Sequence, residues 1–416
     1  MMARNDKKRP VKPRTKQPKA QEPKKHRFFD ESKCDRCLAC LELCAYLDLE
    51  RDEAAREKEE LIQGGPAKRV LAECVSCHAC DVFCEKGCSP YGLIIERWFE
   101  RYQKEGLPER ARYFMPHSAA NFRGFVMDKL PAKEKALVKK WGAKKARLTG
   151  TVLYPGCNFT AQAFLSQSRL FDGMTLHGGL DLCCGEMYYR MGLFDQVEKT
   201  AAALVAYYAE HEIETMVFVC PACYNMFTNI LPEKFGVKFK FKTRFITDVL
   251  LEKIAQGTLR LDKPVNRTVA VHDSCHARIL GPEFSKKQRE LLRAAGVTPM
   301  EPNPGGADGI CCGIAAGCSR YDPRDVLRVS KMAIDAARRS GAKEIAAYCG
   351  GCLLVLSGIG SVMPGGLPVL HSLQYVAMAM GEKPELKQTS RAMLISLGVA
   401  RHSIPAALSK KRFKLT

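Results

Sequence analysis

Between residues 151 and 376, short apolar runs alternate with longer segments whose apolar residues recur at helical spacing. Residues 151–154 and 216–220 are short, mostly apolar runs that read as buried strands. Between them, 198–211 places apolar residues three and four apart and predicts a helix. The same order returns as a run at 268–271, a helical pattern over 325–340, and a run at 344–348. Each half closes on a segment that starts a further helix, at 246–251 and at 371–376. Strand–helix alternation in tandem predicts two α/β lobes with mainly parallel sheets, spanning 151–262 and 263–382.

Upstream the pattern changes. Residues 1–28 are rich in Lys, Arg and Pro without apolar periodicity, the composition of a disordered basic tail. Residues 29–101 are dense in cysteine. Within them, 47–62 is rich in Glu, Ala, Arg and Lys and predicts a helix that Gly64-Gly65-Pro66 ends. Residues 102–150 read as a basic linker, helical around 133–145, and 383–416 as a basic C-terminal segment. The predicted class is α + α/β, a helical N-terminal domain followed by the two lobes. Residues 353–370 are uncharged over eighteen positions, near the length that spans a bilayer. Pro364, Pro368 and a Cys-x-x-Cys directly upstream predict a buried helix and loop there instead.

Composition changes the picture through cysteine and charge. The chain has 416 residues, 46% of them hydrophobic, and 20 cysteines. Its first 26 residues contain no apolar export segment, so a reducing, cytoplasmic setting is expected, in which thiols bind metal rather than pair. The formal net charge of +20 counts cysteines as neutral, and metal-bound thiolates would lower it. The excess lies mostly in the N-terminal tail, in 133–147 and in 410–414. Such runs read as solvated tails, or as contacts with an acidic partner or, peripherally, the inner face of an anionic membrane. No nucleic-acid-binding module accompanies them, so nucleic acid is not an expected partner.

Eight cysteines form two runs, Cys34-x-x-Cys37-x-x-Cys40-x-x-x-Cys44 and Cys74-x-x-Cys77-x-x-Cys80-x-x-x-Cys84. This spacing lets three thiolates wrap one cluster while the fourth reaches a neighbour, so two copies predict two cubane [4Fe–4S] clusters. One takes Cys34, Cys37, Cys40 and Cys84; the other takes Cys74, Cys77, Cys80 and Cys44. The proline that usually follows the fourth cysteine is replaced by Ala45 and Glu85, while Cys88-Ser89-Pro90 offers a displaced substitute. Cys84 and Cys88 therefore both stand as the fourth ligand. Zinc needs no third and fourth thiol at this density. Cys74-Val-Ser-Cys77-His78 also matches a covalent haem attachment pattern, but that chemistry follows export, and His78 is expected to be a surface residue or a neighbour of the site.

Ten more cysteines form two sets of five in the same order: Cys157, Cys183, Cys184, Cys220, Cys223, and Cys275, Cys311, Cys312, Cys349, Cys352. There are 35 residues between Cys184 and Cys220 and 36 between Cys312 and Cys349. Adjacent cysteines make a strained disulfide but can ligate neighbouring irons. Gly185 and Gly313, directly after each pair, permit close backbone approach to a cofactor. His276 and His272 are candidate proton donors, Asp273 a candidate for orienting the local turn, and Cys318 a plain buried thiol. No phosphate-cradling glycine loop is present, so bound flavin or nicotinamide is not expected.

The two Cys…Cys-Cys-Gly…Cys-x-x-Cys sets resemble the cysteine-rich CCG domains of the heterodisulfide reductase family. A dicluster ferredoxin followed by two such domains resembles its fused catalytic subunit over about residues 30–380. The resemblance implies that each five-cysteine set binds a non-cubane [4Fe–4S] cluster, with Gly185 and Gly313 lining the pockets. It implies catalysis at Cys275, Cys311, Cys312, Cys349 and Cys352, with His276 beside them, by reduction of a disulfide or oxidation of thiols. The implied partners are a disulfide or thiol substrate and a redox subunit, either a haem-containing membrane subunit or a flavoprotein. Related chains imply the alternative, an electron-relay subunit of a flavin-dependent glycolate, lactate or glycerol-3-phosphate dehydrogenase or of a membrane redox complex. The sequence departs from even spacing in one place: 25 residues separate Cys157 from Cys183, against 35 between Cys275 and Cys311.

Overall fold

The computed structural model describes residues 26–143, 147–407 and 409–415. The basic tail expected over 1–28 lies outside these as far as residue 25, as does part of the basic run after the helix Ala132–Gly142.

The first lobe contains β1 (Thr149–Tyr154), β2 (Thr175–Leu176), β3 (Glu212–Phe218) and β4 (Lys242–Phe245), all parallel in the order β2-β1-β3-β4. The second contains β5 (Arg267–His272), β6 (Val297–Met300), β7 (Glu344–Ala347) and β8 (Val369–His371), all parallel in the order β6-β5-β7-β8. The identical strand order is what the repeated sequence pattern predicts. The central strands β1, β3, β5 and β7 contain the four apolar runs, which form their buried C-terminal parts, flanked by neighbouring strands and covered on both faces, while their first residues are polar. Val152, Leu153 and Tyr154 on β1 and Val269, Ala270 and Val271 on β5 are accordingly buried.

Helices link the strands. Phe194–Ala209 starts four residues before the predicted 198. Pro323–Arg339 begins with Pro323 in its first turn, and the Asp322 side chain caps it by accepting from the Arg324 N–H. Ile246–Ala255 and Ser372–Ala379 close the two halves as predicted, the latter with a capping box between His371 and Gln374. The uncharged stretch becomes the buried helix Gly350–Val362, a turn at Pro364, and β8. Among the described residues, no helix is long and apolar enough to cross a membrane.

The N-terminal module is helical, with Arg51–Gln63 ended by Gly64 at φ 75° and Pro90–Glu105 as its longest helix. Its short helix Ala79–Val82 packs on Cys275–Ile279 of the second lobe. Helices Phe122–Met127 and Gln388–Gly398 pack together, and the latter also covers Gly350–Val362. Arg412–Phe413 pairs antiparallel with Leu107–Pro108. The stretches at 102–150 and 383–416 thus meet each other across the lobes.

Candidate iron–sulfur sites

Both five-thiol sets assemble at the C-terminal ends of the central strands, where open parallel sheets place their ligand sites. Cys157 begins the short helix Cys157–Thr160 just past β1, and Cys275 begins Cys275–Ile279 just past β5. The Ser274 hydroxyl caps the second of these by accepting from the Ala277 N–H. Cys220 and Cys349 follow β3 and β7 as helix N-caps, so Cys223 and Cys352 fall one turn inside the helices Pro221–Asn225 and Gly350–Val362. The Cys-Cys-Gly turns need their glycines: Gly185 has φ 78° and Gly313 φ 90°. A Cβ on Gly313 would come within 2.9 Å of the Val326 carbonyl oxygen.

All ten thiols are buried and free of disulfides. Cys157 and Cys183 sulfurs lie 3.4 Å apart, and Cys184 and Cys223 3.5 Å apart. These five thiols line one cleft together with Arg123, Asn158 and Glu186. The lobes meet through the sets themselves, with Cys220 and Cys349 sulfurs 3.7 Å apart. Gln162 ties the same junction by donating to the Gly350 carbonyl at 3.0 Å.

The N-terminal thiols interleave between their two runs. Burial raises the Cys40 thiol, the Lys58 ammonium opposes this, and its further charged neighbours are Cys34, Cys84 and Cys37. Cys44 is pushed up to about 11 by burial first and by Cys77 next. Cys80, raised by burial, neighbours Cys74, Cys40 and Cys77. Cys84 is therefore near Cys40 of the first run, and Cys44 near both Cys77 of the second and Cys40 of its own. Cys88 is buried, and its N–H donates to the Cys84 sulfur at 3.4 Å.

This module reaches the second set directly. The Cys311 N–H donates to the Tyr46 hydroxyl at 2.8 Å, and Arg278 donates to the Cys77 carbonyl at 3.4 Å. Arg190, almost fully buried, points all three guanidinium nitrogens at different parts of the chain. It donates to the Cys275 sulfur at 2.7 Å, to the Ser76 carbonyl and to Glu186.

His276 is buried between Glu186, at 2.8 Å from Nε2, and Asn225, at 3.0 Å from Nδ1. Burial first, and then the Arg190 charge, lower its pKa to about 4, so it is a neutral imidazole near pH 7. His78 is buried against the Tyr91 ring at 3.9 Å and faces the His276 ring at 5.2 Å. Asp273 accepts both terminal nitrogens of Arg289, at 2.8 and 2.7 Å, and the Tyr348 hydroxyl. It thereby ties the turn before Cys275 to the residue before Cys349. The side chain of Cys318 lies outside those described. Arg190, Glu186, Arg278 and Tyr46 escaped the sequence analysis. The available signal was local: Glu186 directly follows Cys-Cys-Gly, and Arg190 stands one helical turn beyond it.

The donor set of the two lobes is ten soft thiols, buried and free of disulfides, and so fits iron–sulfur clusters rather than hard cations. A family model, the cysteine-rich CCG domain, matches residues 169–228 and 269–357. These spans contain nine of the ten thiols in the two sets, all but Cys157. The chain is 23% identical over 328 residues to a subunit of the dihydromethanophenazine:CoB–CoM heterodisulfide reductase of Methanosarcina barkeri, covering 74% of this chain and 77% of that protein. It is 22% identical over 381 residues to a subunit of the fumarate reductase (CoM/CoB) of Methanothermobacter marburgensis, covering 84% of this chain and 72% of that one. It is 27% identical over 173 residues to the probable iron-sulfur-binding oxidoreductase FadF of Bacillus subtilis, covering 41% of this chain and 24% of that one. Two segments of the chain thus match the cysteine-rich CCG domain, and the chain is distantly similar to this heterodisulfide reductase subunit and, with it, to other iron–sulfur oxidoreductases.

Proposed function

We propose that this chain moves electrons between a partner's redox centre and two thiol-ligated sites that reduce a disulfide, or in reverse oxidise two thiols. The observation that carries this is the meeting of two complete five-thiol sets at Cys220 and Cys349, with the N-terminal cysteine module against the second set. Splitting a disulfide consumes two electrons and two protons, breaks the S–S bond and yields two thiols. Two adjacent one-electron sites suit it, because each departing sulfur has its own acceptor.

Iron–sulfur clusters, when bound, supply one-electron transfer and metal able to accept sulfur. Cys34, Cys37, Cys40 and Cys84, and Cys74, Cys77, Cys80 and Cys44, would hold two cubanes. The two five-cysteine sets would hold two non-cubane clusters. The rest of the chain encloses and orients. Burial excludes water from the thiols, Gly185 and Gly313 shape the turns, and the Arg190 and Arg278 guanidinium groups offset thiolate charge where the module meets the second set. The redox partner in this reading is a haem-containing membrane subunit or a flavoprotein.

The test is anaerobic EPR with an iron count on the reconstituted chain, oxidised and then titrated with thiols. A paramagnetic signal induced by a particular thiol and lost in Cys312→Ser supports thiol chemistry at the second set. Four clusters that are reducible but indifferent to every thiol would instead make the chain an electron relay, serving a dehydrogenase or membrane complex. Iron sufficient for the N-terminal cysteines alone would sink the assignment of the five-thiol sets.

A further inference from the structure

The two lobes repeat each other in strand order and cysteine order, but not in the residue three positions before the lone cysteine. The first lobe has Tyr154 there and the second His272, each at the end of its central strand. Tyr154 donates its hydroxyl to the carbonyl of Leu182, directly before the Cys183-Cys184 pair, and so is satisfied within its own lobe. His272 is not. It is buried, its Nε2 has no hydrogen-bond partner, and a ring nitrogen lies with the Cys312 and Cys352 sulfurs in a group whose atoms are all within 4.8 Å of one another. Among the described residues, this trio is the one group of histidine, cysteine and acidic side chains found that compact. A buried imidazole nitrogen without a hydrogen-bond partner is unfavourable unless something engages it. The Cys312 and Cys352 thiols stand within 4.8 Å of a ring nitrogen.

We propose that His272 is a sixth donor of the second site, binding metal through a ring nitrogen beside Cys312 and Cys352. The two sites then differ in kind: the first offers five thiolates, the second five thiolates and an imidazole. The imidazole is a neutral donor, so a thiolate placed at the same position would add negative charge and lower the site's reduction potential, the reverse of the rise seen where histidine replaces cysteine. The proposal rests on the second set holding a cluster, as proposed above.

The experiment is pulsed EPR on the whole, iron-loaded chain grown with 14N- or 15N-histidine, together with iron content and redox titration. Expected is a nitrogen hyperfine coupling that follows the isotope and disappears in His272→Gln with iron content unchanged. If His272→Gln loses iron, His272→Cys should restore the iron without the coupling and lower the potential of that site. Full iron with no histidine coupling, coupling that persists in His272→Gln or His272→Cys, or iron restored by neither variant, overturns the role of His272. Iron matching only the N-terminal cysteines would overturn the cluster assignment of the second set instead, so the two failures are distinguishable.

Discussion

Arg190 carries one guanidinium into a space shared by three parts of the chain, touching Cys275 of the second lobe, Ser76 of the N-terminal module and Glu186 of its own helix. Removing one partner from such a buried arrangement leaves the others uncompensated. Arg190→Met should therefore destabilise the protein by about 3 kcal/mol, measured by chemical unfolding. With the positive charge gone, the second site should also titrate at a lower potential in redox-poised EPR, while Arg190→Lys recovers part of that shift. Asp273 belongs to the same scale. Its bidentate pairing with Arg289 and its contact with Tyr348 hold two cysteine-bearing turns together. Asp273→Ala should cost about 2–4 kcal/mol in thermal or chemical unfolding, reduced because Arg289 keeps Glu301 at 2.7 Å.

At the scale of elements, the Cys-Cys-Gly turns make the duplication unequal. Gly185 and Gly313 both sit at positive φ, but a Cβ on Gly185 meets only the Thr200 side chain, its methyl at 3.4 Å. On Gly313 it meets the Ser330 hydroxyl at 2.8 Å and the Val326 carbonyl at 2.9 Å, both anchored in the helix Pro323–Arg339. Gly185→Ala should cost about 1–2 kcal/mol from backbone conformation alone. Gly313→Ala should cost about 3 kcal/mol or more, adding overpacking to that strain, and should lower iron content where Gly185→Ala does not. Thermal unfolding and iron assay of the paired variants decide this. The central strands and most connecting helices were legible because apolar periodicity reports burial directly. The edge strands were not: β4 reads Lys-Thr-Arg-Phe, and β2 is only two residues long. An edge strand is defined by the partner it hydrogen-bonds to, which its own side chains need not announce.

For the whole molecule, the stretches at 102–150 and 383–416 act as a clasp. Glu134, on Ala132–Gly142, pairs with Arg391 at 2.5 Å and with Lys387 at 3.2 Å on and beside Gln388–Gly398. Both Glu134 and Arg391 are buried. Glu134→Ala should cost about 3–5 kcal/mol by stranding a buried guanidinium. A smaller loss in chemical unfolding, below about 1 kcal/mol, would mean that the clasp is held by apolar packing alone. The charge pattern that reads as solvated basic segments conceals this contact, since one acidic residue among many lysines gives no sign of which cation it will meet.

The sequence by itself determined the donor chemistry: eighteen cysteines in four ordered groups, their duplication, and the α/β lobes that carry ten of them. Those features are local, written in spacing and in the burial demanded of consecutive residues. Only the packing of lobes and module brings Cys220 to Cys349, joins Tyr46 and Arg190 of different segments to the second set, and places a ring nitrogen of His272 with Cys312 and Cys352. Contacts such as that of Tyr46 with Cys311, 265 positions apart, depend on how the lobes and module pack. No periodicity along the chain encodes that distance.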